Sequence, residues 1–177
     1  LALIPEGAER IDVGKRASHH PVPQEEINAI LLEKARQGKR VVRLKGGDPF
    51  LFGRGGEELE PLLGEGLDFE VVPCVSSALS VPAYGGIPIT HRDWSSSVHI
   101  VTGHARAGKA LDIDYAALVR TGGTLVFLMG VSALAEICAG LLSADMAEDM
   151  PAAIIERGSL PGQRSVLSTL GSLAQAA

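Results

Sequence analysis

Cysteine and long apolar runs are scarce in this sequence, and each shortage excludes a class of protein. The 177 residues include two cysteines, Cys74 and Cys138, which lie far apart and lack the spacing of metal ligands. Two isolated cysteines argue against a disulfide framework and favour a reducing compartment. No apolar run is long enough to span a bilayer, and residues 1–6 contain neither a basic leader nor a cleavage-like site. The sequence therefore predicts a soluble, cytoplasmic protein with no membrane partner.

Basic residues are too few for a general nucleic-acid binder. The chain has 16 lysines and arginines against 21 aspartates and glutamates, which gives a formal net charge of -5. Non-specific binding to nucleic acid needs a basic surface. We therefore expect no nucleic-acid partner, although a local basic pocket is compatible with this charge.

Several motifs of common enzyme classes are absent as well. No G-x-G-x-x-G follows a predicted strand and no G-x-x-x-x-G-K-[ST] occurs, which excludes the usual dinucleotide and phosphate loops. No G-x-S-x-G elbow supports acyl transfer by a serine. His19 and His20 diverge on an extended backbone and have no third ligand at suitable spacing, so we expect no metal site.

The chain does contain a regular alternation of strand-like and helix-like segments. Residues 24–37 carry apolar side chains at helical spacing and begin with acidic residues. Shorter helices are predicted over 57–63, which Pro61 must kink or shorten, and over 131–142, while residues 76–84 are helical or looped. Strands are predicted at 41–44, 69–72, 98–102, 124–128, 152–155 and 166–170. This alternation is typical of an α/β fold with a parallel or mostly parallel sheet.

The alternation is interrupted once, by a segment rich in glycine, proline and serine at 85–97. Such composition favours an inter-domain linker. We therefore expect two α/β domains, residues 1–92 and 98–177, joined by a linker at 93–97. Both ends of the chain fall inside predicted elements, so we also expect the sequence to be part of a longer domain.

The segment Lys45–Phe50 is the first candidate site. It follows the predicted strand 41–44, and ligands of open α/β sheets lie beyond the carboxyl ends of strands. Gly46 and Gly47 permit positive φ and a close approach of the backbone to a ligand. Asp48 offers an acceptor for an amine or hydroxyl. A tight turn capped by Asp48 explains the same residues, so the local pattern leaves both interpretations open.

Other candidates follow other predicted strands. Ser76 and Ser77 come after strand 69–72, Met129 after 124–128, and Gly158 after 152–155. Each has an ordinary explanation, since serines cap helices and methionine fills cores. Together they predict a cleft lined by loops at strand ends.

Cationic side chains form a third group of candidates. A lysine shielded from water can act as an acid or base, which suits Lys15, although Lys15 and Arg16 also fit a solvated basic loop. Arg54 begins a glycine-dense helix entry and either holds an anion or is solvated. Arg92 either meets a substrate carboxylate or takes part in a local His91–Asp93 clamp.

Read as whole strings, these segments carry a resemblance to a known family. The strings are VGKRA (13–17), VPQEEIN (22–28), VVRLKGGDPF (41–50), FGRGGEE (52–58), AYGGIPITHRD (83–93) and VTGH (101–104). They closely resemble the tetrapyrrole methylase family, and within it the uroporphyrinogen-III C-methyltransferases.

The resemblance implies two α/β domains with S-adenosylmethionine in the cleft between them, usually in a homodimer. It implies a proton donor or acceptor at Lys15. The positions that match the family's cofactor contacts are Gly46, Gly47, Asp48, Leu51, Ser76, Ser77, Met129 and Gly158.

The implied reaction transfers two methyl groups to ring carbons of uroporphyrinogen III and gives precorrin-2, on the path to sirohaem and cobalamin. The eight carboxylates of that substrate suit Arg16, Arg54 and Arg92. This sequence departs from the family in lacking an initial strand, a Gly-Ala-Gly-Pro-Gly-Asp loop and a Tyr-Asp-Arg-Leu segment with a catalytic aspartate. An inactive cofactor-binding module is therefore an alternative. A sibling corrin methylase is another, although the segment THRD (90–93) argues against it.

One further departure concerns Cys74, which stands where relatives have glycine. If that backbone needs a positive φ, cysteine would cost about 1 kcal/mol or more.

Overall fold

The fold is described by a computed structural model that covers residues 4–14, 22–104 and 111–177. The chain divides into two compact units, Leu1–Cys74 and Val75–Ala177. This division falls before the expected linker at 93–97. Ser97 accepts a hydrogen bond from the backbone N–H of Thr124, and the Ser95 hydroxyl bonds to the same residue, so this segment is held within the second unit.

The first unit is built on two helices that pack against each other, α1 (Gln24–Arg36) and α2 (Gly55–Gly64). Helix α1 has acidic residues in its first turn and basic residues in its last turn, which matches the helix dipole. It buries Ile27. Helix α2 is longer than the sequence predicts, because it begins at Gly55 and ends at Gly64, and Pro61 does not interrupt it.

The strands predicted at 41–44 and 69–72 are not formed, and this expectation is wrong. Within the described residues the strands lie in two two-stranded sheets, and both sheets belong to the second unit. A β-branched segment becomes a strand only when a neighbour completes its ladder of hydrogen bonds. Val42 and Val72 are 81% and 75% exposed, so neither segment is covered by such a neighbour.

The second unit contains a parallel pair and an antiparallel pair of strands. Strand β1 (Val98–Thr102) pairs with β2 (Thr124–Leu128) in parallel, as expected for an α/β fold. Strand β3 (Pro151–Glu156) pairs with β4 (Arg164–Thr169) in antiparallel register, so the expectation of a parallel sheet is wrong here. The loop 157–163 is too short for a parallel crossover, which needs a dozen or more residues.

The described part of this unit also contains four α-helices: α3 (Ser77–Tyr84), α4 (Tyr115–Arg120), α5 (Leu134–Ser143) and α6 (Leu170–Ala176). A short 3₁₀ turn at Val131–Ala133 precedes α5. Helices α5 and α6 supply the buried core, which consists of Ile137, Cys138, Leu141, Leu170 and Leu173. Burial raises the pKa of the Cys138 thiol, so this cysteine serves packing and not reactivity.

None of the helices in the described residues is both long enough and apolar enough to cross a bilayer.

Gly140 is the position where α5 has no room for a side chain. A Cβ there would clash with the ring of Tyr115 at the start of α4. We expect Gly140→Ala to lower the free energy of unfolding by about 1–3 kcal/mol through overpacking. Gly56→Ala is the control, because its Cβ would meet open space in helix α2, and alanine favours a helix by up to about 1 kcal/mol. The stabilities of both variants can be compared by thermal denaturation. Equal losses of stability in Gly140→Ala and Gly56→Ala would contradict the overpacking at Gly140.

Candidate functional site

The segment Gly46–Leu51 forms a turn that is closed by its own aspartate. Asp48 Oδ1 accepts hydrogen bonds from the backbone N–H groups of Phe50 at 2.9 Å and Leu51 at 3.0 Å. These bonds lower the pKa of Asp48, with a further contribution from the backbone of Cys74. The carboxylate is therefore ionised at neutral pH and fixed in position. The turn interpretation is confirmed, and it leaves a rigid, partly exposed carboxylate beside two exposed glycines.

The backbone after Asp48 is wound tightly, which explains the glycines at positions 53 and 55. The N–H of Gly55 donates to the carbonyl of Pro49 at 3.0 Å, and a Cβ on Gly53 would lie 2.9 Å from the Asp48 carbonyl oxygen. Phe52 and Arg54 have φ values of 54° and 58°, a left-handed conformation that costs on the order of 1 kcal/mol per residue. Strain of this kind is common at functional sites.

Arg54 lies at the N-terminus of α2, and its guanidinium is paired with Glu57. Both carboxylate oxygens accept from Arg54 Nε at 3.0 Å, and about half of each side chain is exposed. The predicted substrate arginine is therefore at the surface, in an ion pair that an incoming anion could exchange.

The least expected feature is Glu58, a carboxylate that is 4% exposed. Its Oε1 accepts from Lys45 Nζ at 2.7 Å, from Arg43 Nε and Nη2 at 3.3 and 3.2 Å, and from Gln24 Nε2 at 3.2 Å. The network joins helix α1, segment 43–45 and helix α2. No motif in the sequence marks this network. Its one local signal is that Arg43 and Lys45 are two residues apart and so share one face of an extended chain.

The charge on Glu58 is maintained by its partners. Burial alone raises the pKa of Glu58. The hydrogen bonds from Lys45 and Gln24 and the charge of Arg43 outweigh burial, so the pKa lies below its usual value. A carboxylate this buried needs such partners, because an unpaired charge in a low dielectric is costly.

A cavity of about 420 Å³ opens beside this network. Its walls include the Glu58 network itself, the positively charged Arg54, and Val13 and Gly14. Gly14 directly precedes Lys15 and Arg16, the predicted catalytic and substrate residues. Lys15 and Arg16 themselves lie outside the described residues.

Ser76 and Ser77 begin helix α3 in the second unit. The Ser76 hydroxyl accepts a hydrogen bond from the N–H of Ala78 at 3.2 Å and is buried, so it is a helix cap. Ser77 is exposed at the same helix end.

Met129 follows strand β2 in a left-handed conformation, with φ 59° and 54% of its surface exposed. The chain is crowded here, because Gly103 at the end of β1 packs directly on the backbone of Gly130. An exposed methionine is not core filler, and its strained backbone favours a functional position.

Gly158 follows strand β3 and has a packing role of its own. A Cβ there would overlap Val81 of helix α3, and Gly85 at the end of α3 lies against Ile155. Helix α3 also packs on β2. The elements that carry Ser76, Ser77, Met129 and Gly158 therefore belong to one compact unit.

Two further sequence expectations concern Arg92 and Cys74. Arg92 lies in an exposed turn that is closed by the bridge between His91 and Ser95. Cys74 does not have a positive φ, so the backbone strain that a left-handed conformation would impose on cysteine is absent. In the part of the chain that the structure describes, no group of three His, Cys, Asp or Glu side chains could hold a metal ion.

Comparison with known proteins matches this chain to a family along nearly its whole length. The family model for tetrapyrrole (corrin/porphyrin) methylases matches residues 1–174. The porphyrin biosynthesis protein HemD of Ruminiclostridium josui is 58% identical over 177 residues, which are 100% of this chain and 35% of that protein. Siroheme synthase 3 of Aeromonas hydrophila is 52% identical over 177 residues, which are 100% of this chain and 38% of that protein. The chain thus spans little more than a third of these curated relatives.

Solved structures are similar over most of the chain. A uroporphyrin-III C-methyltransferase from Thermus thermophilus, complexed with S-adenyl homocysteine, has a TM-score of 0.74 and 40% identity, covering 86% of this chain and 66% of that one. The cobalt precorrin-4 methyltransferase CbiF has a TM-score of 0.77 and 26% identity, covering 90% of this chain and 66% of that one.

The Glu58 network makes a prediction about stability and pH. We expect Glu58→Gln to lower the free energy of unfolding by about 2 kcal/mol at neutral pH, because Lys45 and Arg43 lose their shared counter-charge. Since the folded-state pKa of Glu58 is lowered, its stabilisation is fully present above the ordinary glutamate pKa and disappears as the pH falls through the folded value. The difference in the free energy of unfolding between the wild type and Glu58→Gln should therefore decrease below about pH 4, as measured by denaturant titration.

Glu60→Gln is the matched control, since Glu60 is exposed on the same helix. Equal losses in the two variants, or a gap that does not depend on pH, would contradict a specific role for the buried carboxylate.

Proposed function

Because this chain belongs to the tetrapyrrole (corrin/porphyrin) methylases, we propose that it is part of an S-adenosylmethionine-dependent methyltransferase that converts uroporphyrinogen III to precorrin-2. The observation that carries the proposal is the loop Gly46–Gly47–Asp48, where exposed backbone adjoins a fixed carboxylate. The resemblance to a methyltransferase that was solved with S-adenyl homocysteine supports it.

The first unit supplies the loop on which we place the cofactor. Gly47 has a φ of 70°, which glycine adopts at little cost, and the lack of side chains at Gly46 and Gly47 lets a ligand reach the backbone. Asp48 is ionised, and a carboxylate has more acceptor sites than its two amide bonds use. It therefore suits an amine or ribose hydroxyl. Leu51 adds a partly buried apolar contact.

The second unit supplies the other proposed contacts. Ser77 offers an exposed hydroxyl, while Ser76 shapes the start of the same helix by capping it. Met129 presents its exposed side chain at the end of β2. Gly158 lies in a strained loop, because Arg157 and Ser159 on either side both have positive φ. Strained backbone of this kind supports a ligand-binding role.

The proposed chemistry is mainly a matter of alignment. S-adenosylmethionine, when bound, supplies a methyl group on a positively charged sulfur. The chain has to hold an electron-rich pyrrole carbon in line with that methyl, and orientation alone can account for several kcal/mol of rate acceleration. A proton leaves the macrocycle as the new bond forms, and we assign its transfer to Lys15. Arg16, Arg54 and Arg92 are the proposed partners of substrate carboxylates.

The same proposal includes the setting of the enzyme. We place it in the cytoplasm as a homodimer, with uroporphyrinogen III as its tetrapyrrole partner. Two methyl transfers, and not one, would distinguish it from a sibling methylase that acts on a later corrin intermediate.

Cofactor binding is tested by replacing each of two glycines with alanine, where the two glycines have nearly the same backbone conformation. Gly47 and Gly38 have φ values of 70° and 71°, so alanine imposes a similar strain of about 1 kcal/mol at each. We expect Gly47→Ala to raise the Kd for S-adenosylhomocysteine at least about tenfold by isothermal titration, and Gly38→Ala to leave it unchanged. An equal change in this Kd in Gly47→Ala and Gly38→Ala would contradict the assignment of the loop to the cofactor site.

Acid–base catalysis is tested at Lys15. We expect Lys15→Ala to reduce turnover of uroporphyrinogen III by about 10²–10⁴-fold, because the proton transfer loses its side chain, while the affinity for S-adenosylhomocysteine is retained. Lys39→Ala is the control, since Lys39 forms a surface ion pair with Glu9. Full activity of Lys15→Ala would refute this role. Cofactor binding by the wild type without any turnover would favour an inactive binding module.

A further inference from the structure

The cavity next to Glu58 has an excess of positive charge on its walls. Arg43, Lys45 and Glu58 all line it, and their side chains are 28%, 13% and 5% exposed. Two cations therefore share one carboxylate in a place that water reaches poorly. Arg54, a third cation of the wall, is matched by Glu57. Among the described residues, this network therefore has two positive charges and one negative charge.

Lys45 is the member of this network best able to bind something more. Arg43 donates from Nε and Nη2 to Glu58 and from Nη1 to the carbonyl of Leu44, so each nitrogen of its guanidinium already donates a hydrogen bond. An ammonium group has three N–H donors, and Lys45 spends one of them on Glu58 at 2.7 Å. A second carboxylate beside Lys45 would complete the charge balance, with two anions for two cations.

We propose that this cavity is a carboxylate-binding subsite, that Lys45 is its anchor, and that it takes one acetate or propionate arm of the tetrapyrrole. The inference rests on the proposed function, since that function supplies a substrate with many carboxylates. Glu58 is then a positioning residue, because it fixes the ammonium of Lys45 on the cavity wall. Lys45 determines specificity for an anionic arm, because a charge-assisted bond to a carboxylate is roughly twice as strong as a neutral one.

The carboxylate of the cofactor is the other possible source of this chemistry, and the wall of the cavity argues against it. The lining includes Arg54, which is one of the residues assigned to a substrate carboxylate. The proposed cofactor residues of the same unit, Gly46, Gly47, Asp48 and Leu51, are not among those that line it.

The test is a fluorescence titration of the full-length protein with uroporphyrin III, the stable oxidised form that carries the same carboxylates. Lys45→Gln should raise its Kd about tenfold, which corresponds to about 1.4 kcal/mol. Lys45→Arg should stay within about threefold of wild type, because it keeps the charge. The Kd for S-adenosylhomocysteine should not change in either variant.

Arg36→Gln is the matched control, because it removes one positive charge from an exposed ion pair with Glu65 on the same unit. It should bind uroporphyrin like the wild type. Lys45→Met is the second variant. Glu58 keeps its ion pair with Arg43 in both Lys45→Gln and Lys45→Met, so we expect both variants to fold. Their thermal unfolding midpoints would show whether they do.

The subsite is overturned if Lys45→Gln and Lys45→Met bind uroporphyrin as tightly as the wild type, or if the wild type does not bind it. It is also overturned if the Kd for S-adenosylhomocysteine rises instead, since the carboxylate would then belong to the cofactor. Uroporphyrin binding that depends on Lys45, in a protein that transfers no methyl group, would refute the proposed function and leave the subsite standing.

Discussion

The buried carboxylate of Glu58 is the interaction on which the first unit depends. Residues 41–45 lie outside any described β-ladder, so main-chain pairing does not hold them in place. Instead, Arg43 and Lys45 are tied to Glu58 of helix α2, and Gln24 ties the start of helix α1 to the same oxygen. The loop Gly46–Asp48 follows directly. Its position is therefore set by side-chain charge pairing as much as by backbone structure.

A buried ion network is an uncertain source of stability, because desolvation offsets much of the Coulomb attraction. Its value here is geometric. One carboxylate oxygen fixes three segments that are distant in sequence, and it keeps two cations at the wall of a cavity. The same arrangement gives a chain of net charge -5 a locally basic cavity, as the proposed carboxylate subsite requires. Local fields near low-dielectric walls matter more for such binding than the overall charge.

Much of the fold follows from local sequence signals, and the exceptions have physical causes. Helix α1 was predicted to within a residue because its apolar spacing and terminal charges agree. Strands β1 and β2 were also recognised from β-branched runs. The segments 41–44 and 69–72 also contain β-branched residues and yet form no ladder, because a strand depends on a neighbour that local sequence does not specify. The antiparallel pairing of β3 and β4 follows from the short loop that joins them.

The candidate site was predicted in part. The turn at Asp48 was recognised as one of two interpretations, and the structure adds the bonds that keep its carboxylate fixed. Glu58 could not be found from periodicity, because its burial depends on partners 13 and 15 residues away in the sequence. Gly158 shows the reverse case, since a glycine expected to face a ligand also makes room for Val81. A single residue can serve packing and binding together.

A crystal structure of the full-length protein with S-adenosylhomocysteine would test the proposed cofactor loop directly. We expect the ligand against the backbone of Gly46 and Gly47, with an amine or hydroxyl within hydrogen-bond distance of Asp48. Density for the ligand at any place that leaves Gly46, Gly47 and Asp48 without contact would contradict it.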